Sequence, residues 1–180
     1  MALIKLNNQS LTAVSALPAA ITTGSVLKVS GTTTTSQSTY SDGSGEHLVL
    51  TISHVAVQAN SDFLISGGIM FSTNAASEEA GHMLLKDGAT KILSGADVGS
   101  RIGSFASSDS GSNFNRVQML NNSGLYTTST HAVGDTKTFN LYFYAPSSGA
   151  SYVINRSWND SNSDFYPTCA SHFTVMEIAG

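Results

Sequence analysis

Apolar and polar positions alternate along most of this chain, in short runs closed by turn residues. The clearest run lies within residues 137–145. Phe139, Leu141, Phe143 and Ala145 share one face there, while Asn140, Tyr142 and Tyr144 share the other. A period of two residues is that of a strand. The same reasoning predicts strands at 25–30, 47–58, 63–72, 115–120, 151–155 and 172–178. In the first, Val26, Lys28 and Ser30 are expected to oppose Leu27 and Val29; in the second, Leu48, Leu50 and Ile52 are expected to oppose Val49, Thr51 and Ser53. Residues 83–93 read as a hairpin, because Asp87-Gly88 supplies the positive-φ positions of a tight turn.

Helical signals are nearly absent. Residues 74–86 carry some helix-forming bias, and Gly81 interrupts it. Residues 94–113, rich in Gly and Ser with Arg101 and Phe105 as the large side chains, read mostly as loop. Residues 31–39 read as a low-complexity loop or an exposed edge. Residues 1–23, with Pro18 near their end, read as an N-terminal arm before a body spanning 24–180. About eight short strands without helices predict an all-β fold: a two-sheet antiparallel sandwich, jelly-roll-like, with an extended N-terminal arm.

Composition narrows the function. At 180 residues the chain is one domain of ordinary size. Serine and threonine make up about a quarter of it, and charged residues only 11%. Hydrophobic residues reach 41%, with eight Phe and six Tyr, which is enough for a core. A net charge of −4 with eight Lys and Arg argues against a nucleic-acid partner. No apolar run is long enough to span a membrane. The N-terminus lacks the apolar core of a signal peptide. Cys169 is the single cysteine, so a disulfide framework is excluded.

Candidate chemistry is sparse. Glu79 and His82 have metal-ligand spacing, but one such pair does not make a site. Cys169 and His172 sit three apart, which in a strand means opposite faces. His47 and His54 also face opposite ways unless a bulge intervenes. There is no Gly-x-Ser-x-Gly elbow and no phosphate loop. Asp160 and Asp164 read as turn formers rather than a glycosidase pair. No catalytic residue, metal or other cofactor is expected, and the chain reads as non-enzymatic. The segment with Arg156, Trp158, Asn159, Asp160 and Tyr166 combines aromatic faces with planar polar groups, as a carbohydrate-binding loop does. Two strands present Tyr142 and Tyr144, and Met176 and Ile178, on the faces away from their apolar sides. Such residues favour interfaces and predict a homo-oligomer.

Several segments taken in order carry a resemblance. They are Tyr-Val-Ile-Asn-Arg-Ser-Trp-Asn-Asp at 152–160, Asp164-Phe-Tyr166, and His-Phe-Thr-Val-Met-Glu-Ile-Ala at 172–179. With Gly24-Ser-Val-Leu-Lys-Val and Leu85-Lys-Asp-Gly, they resemble a family of tailed-bacteriophage virion proteins that recurs in marine and cyanobacterial phages. The likeness covers residues 24–179, and the arm from Leu6 to Pro18 resembles arms preceding such bodies. It implies a trimeric, jelly-roll-like head of the tumour-necrosis-factor kind, displayed on the virion as a fibre tip, spike or capsid decoration, without enzymatic residues. The implied partners are other copies of the chain, major capsid or tail proteins, and a host-surface glycan. The chain would be made in the host cytoplasm and released by lysis. A short arm without a long shaft favours a capsid decoration or head fibre, anchored through Ile4, Leu6, Leu11, Val14 and Leu17. A tail-fibre or spike tip that binds host carbohydrate is the alternative.

Overall fold

The computed structural model describes residues 25–41, 45–74, 80–109, 116–127, 130–146, 149–159 and 167–180. The proposed anchoring arm, with Ile4, Leu6, Leu11, Val14 and Leu17, lies outside them, as do Glu79, Asp160, Asp164 and Tyr166. The described residues form no helix. They form eleven strands: β1 (Val26–Thr34), β2 (Ser38–Tyr40), β3 (Gly45–Val55), β4 (Asp62–Thr73), β5 (Ala80–Asp87), β6 (Thr90–Lys91), β7 (Ala106–Asp109), β8 (Gln118–Thr127), β9 (Thr136–Ala145), β10 (Tyr152–Ile154) and β11 (Ser171–Ile178).

Two antiparallel sheets pack face to face, so the expected all-β sandwich is what the chain forms. In the first sheet, β8 lies on one edge of β4, while β11 and β10 lie end to end along the other. Outside them run β1 on β11 and β2 on β10. The second sheet runs β3–β9–β5, with β6 and β7 end to end on the far edge of β5. The expected alternation sets the core. Phe63, Ile65 and Phe71 of β4 and Phe173 and Val175 of β11 face Leu50 and Ile52 of β3, Met83 and Leu85 of β5, and Phe139, Leu141 and Phe143 of β9. Burying each such side chain stabilises the fold by about 1.5–3 kcal/mol. Gly81 lets β5 approach closely, since a Cβ there would sit 2.6 Å from the Phe71 ring and 2.8 Å from Phe143.

The structure corrects four of the expectations. Leu48 does not share a face with Leu50 and Ile52. The register of β3 against β9 shifts between Leu48 and Leu50, and this bulge turns Leu48 outward. A similar irregularity between Val26 and Lys28 leaves Val26 and Val29 both exposed instead of on opposite faces. Residues 94–113 include β7, which pairs with β5 through small residues that carry no apolar signal. The strand expected at 115–120 is β8 and runs on to Thr127, because Asn121 and Ser123 face solvent, where polarity costs nothing, and the Asn122 amide donates to the Phe105 carbonyl. Residues 31–39 prove to be edge: β1 continues to Thr34, and β2 begins at Ser38.

Asn155 splices the seam where β10 ends and the chain leaves the sheet before β11. Its backbone is left-handed, with φ 64°, a conformation that Asn tolerates better than most residues. Its amide nitrogen donates to the carbonyls of Thr34 (3.1 Å) and Ser36 (2.9 Å), and its side-chain oxygen accepts from the Ser171 hydroxyl at 2.7 Å. The main chain bonds on both sides, donating to Met70 and accepting from Cys169. A fully buried amide thus replaces the ladder that the interrupted strands lack.

Candidate functional site

The outer face of the first sheet is the most distinctive surface. Register places Val29 opposite Met176, Met176 opposite Leu64, and Leu64 opposite Leu125, making one apolar row across four strands. Val29 and Leu125 are more than half exposed. The row toward one end is Val26, Ile178, Asp62 and Thr127, and those toward the other are Gly31, Thr174, Ser66, Ser123 and then Thr33, His172, Gly68, Asn121. These four rows hold one carboxylate, Asp62, and neither Lys nor Arg. They cover about 15 by 20 Å. Within them Val29, Met176, Leu64, Leu125, Val26 and Ile178 form the apolar part, and contiguous exposed apolar groups of this kind often mark a contact surface.

The four residues expected at a subunit interface fall on two opposite surfaces. Met176 and Ile178 belong to the apolar face of the first sheet. Tyr142 and Tyr144 point out of the second, half-buried among their own neighbours. The Lys86 ammonium lies 4.8 Å from the centre of the Tyr142 ring and pairs with Glu46, and the Tyr144 ring packs against His82. One flat contact therefore cannot use all four. Leu84, on the same outer face as these tyrosines, is fully buried, and Ser100, Arg101, Ile102 and Ser104 line a pocket with His82 and Tyr144. The loop after β6 folds back over this part of the sheet.

The described part of the expected carbohydrate loop forms a tight turn. Arg156 lies in an isolated bridge with Thr168, and its guanidinium donates to the carbonyls of Ser157 (3.1 Å) and Trp158 (3.3 Å) and to the Thr39 hydroxyl. Its donors hold the turn together. Trp158 is half-buried and Asn159 exposed.

A buried polar cluster was not foreseen. Glu177 alternates with Phe173 and Val175 and so points inward, where it is fully buried. His54 Nε2 donates to its Oε2 at 3.0 Å, the backbone N–H groups of Val57 and Gln58 donate to the same carboxylate, and the Ser61 hydroxyl donates to Oε1 at 2.8 Å. Burial disfavours the charged form, but these donors together outweigh it and hold the Glu177 pKa below the usual range. The other nitrogen of His54 lies 2.9 Å from the Ser30 hydroxyl, and His131 Nε2 lies 3.0 Å from Ser61 Oγ. The inward parity of Glu177 with Phe173 was the one signal available in the sequence.

Ser30, His54 and Glu177 thus stand in the order of a hydrolytic triad. His54 and Glu177 are both 0% exposed, and the carboxylate is committed to backbone and side-chain donors that join β11 to the turn after β3. This is the arrangement of a structural clasp. The bulge in β3 also puts His47 on the side of His54, where it stacks on Tyr40 at 3.8 Å. Among the described residues, no group of three or more His, Cys, Asp or Glu side chains is arranged to hold a metal ion. No protein-family model matches this chain, and no curated protein sequence is significantly similar to it.

Proposed function

We propose that the chain is a non-enzymatic structural protein of a bacteriophage virion, a homotrimeric surface protein of capsid decoration or head-fibre type. The observation that carries the reading is the apolar row Val29–Met176–Leu64–Leu125. A row of this kind suits contact with another copy of the same chain, because its four side chains carry no charge that the contact would bury unpaired. The strand order adds support. The chain alternates between sheets so that β1/β2, β10/β11, β4 and β8 form one layer and β3, β9, β5 and β7 the other, which we read as a jelly roll. The sequence resemblance contributes the trimer and the virion.

Two measurements test this. Light scattering on the purified chain should give three times the chain mass, and electron cryo-microscopy of virions should locate trimers on the capsid lattice. A monomer in solution, together with virions that lack the chain, would overturn the proposal. Density confined to the tail would favour the second reading, a fibre or spike tip that binds host-surface carbohydrate. That reading draws on Trp158, whose half-buried ring stands at a surface turn.

A further inference from the structure

A pocket of about 390 Å³ opens where the loop after β6 crosses the second sheet. Its lining includes Arg101, His82, Tyr144, Ser104 and Ser107. The loop is held by Asp97, whose carboxylate takes the Lys91 ammonium at 2.5 and 2.7 Å and the Gly103 N–H at 2.6 Å. A reverse bond pair between Val98 and Arg101 closes its tip. The rim is therefore built rather than loose.

The charges around the pocket are unbalanced in one direction. Arg101 is exposed, and its guanidinium has no hydrogen bond or ion pair among the described residues. Among the described residues, the carboxylate of Asp97 in the same loop is paired with Lys91, and that of Glu46, whose strand position faces Tyr144, with Lys86. None of the lining residues is acidic. His82 sits beside Tyr144 with its Nδ1 buried and unpartnered, and burial lowers its pKa, so it lines the wall as a neutral ring. Ile102 and Pro146 supply apolar wall.

We propose that this pocket binds a sugar bearing a carboxylate, a uronic-acid type of residue. A guanidinium with two free donors matches a carboxylate in a bidentate pair. The Tyr144 ring offers an apolar face to the C–H side of a pyranose, and the Ser104 and Ser107 hydroxyls can exchange hydrogen bonds with sugar hydroxyls. The volume lies at the small end of ligand pockets, which fits one or two sugar units. The inference stands apart from the virion reading, because it is tested on the purified chain alone.

The test titrates the full chain with methyl glucuronide, methyl glucoside and acetate, following backbone amide shifts by NMR. Methyl glucuronide should move the amides around Arg101 and Tyr144, and Arg101→Gln should weaken that binding by about tenfold or more. Arg116→Gln, another exposed cation, should leave it unchanged. Arg101 is a surface residue, so its loss should not unfold the chain. Equal binding of the glucoside would overturn the carboxylate, equal binding of acetate would overturn the sugar, and no shift with any probe would overturn the site.

Discussion

Glu177 and His54, 123 residues apart in sequence, meet at 3.0 Å inside the sandwich and tie the last strand of the first sheet to β3 of the second. Because the folded pKa of Glu177 is depressed, its contribution to stability is present above its ordinary value of 4.5 and is lost as pH falls through the lower folded value. Denaturant unfolding followed from pH 7 down to pH 3 should show that loss. Glu177→Gln should be less stable by about 2–4 kcal/mol at pH 7, since a single neutral amide oxygen would replace the two charged acceptors that now serve His54, Val57, Gln58 and Ser61. Its stability should also depend less on pH over the same acid range.

Asn155→Asp should destabilise the fold by about 2–3 kcal/mol, because a carboxylate would face the carbonyls of Thr34 and Ser36 that the amide now satisfies. Asn155→Ala should cost a similar amount by losing the same bonds at a positive φ. Hydrogen exchange should show the effect concentrated at the junctions of β1 with β2 and of β10 with β11.

Gly81→Ala tests the packing of β5 on the core. The added methyl would overlap the Phe71 and Phe143 rings, and overpacking of that kind costs about 1–3 kcal/mol. The thermal midpoint should drop accordingly. An unchanged midpoint would mean that the aromatic pair yields freely.

On the apolar face, Leu64→Glu and Met176→Glu should shift the light-scattering mass toward the monomer while leaving circular dichroism unchanged, since both side chains point away from the core. Tyr142→Ala, on the opposite sheet, should not alter the mass. The reverse pattern would move the subunit contact to the second sheet.

Much of the fold was legible in the sequence. The strict alternation of Phe139, Leu141, Phe143 and of Phe173, Val175 identified β9 and β11 and the faces they bury, because a strand's period of two is local. The bulge at Leu48–Leu50 was not legible. It depends on how β3 registers against β9, and its own residues, Leu-Val-Leu, are apolar on either reading. The candidate surfaces divided in the same way. Tyr142, Tyr144, Met176 and Ile178 were each correctly read as turned from the apolar side of their own strand, but whether two strands share a surface is a matter of sheet membership.

By itself the sequence determined that the chain is all-β, where its strongest strands lie and which side chains they bury, because those properties follow from short-range patterning. The tertiary structure alone decided which strands neighbour one another. From that came the apolar row across four strands, the Glu177–His54 clasp, the Asn155 splice and the pocket under Arg101. Each joins residues far apart in the chain, and only the pairing of strands brings them within a few ångströms.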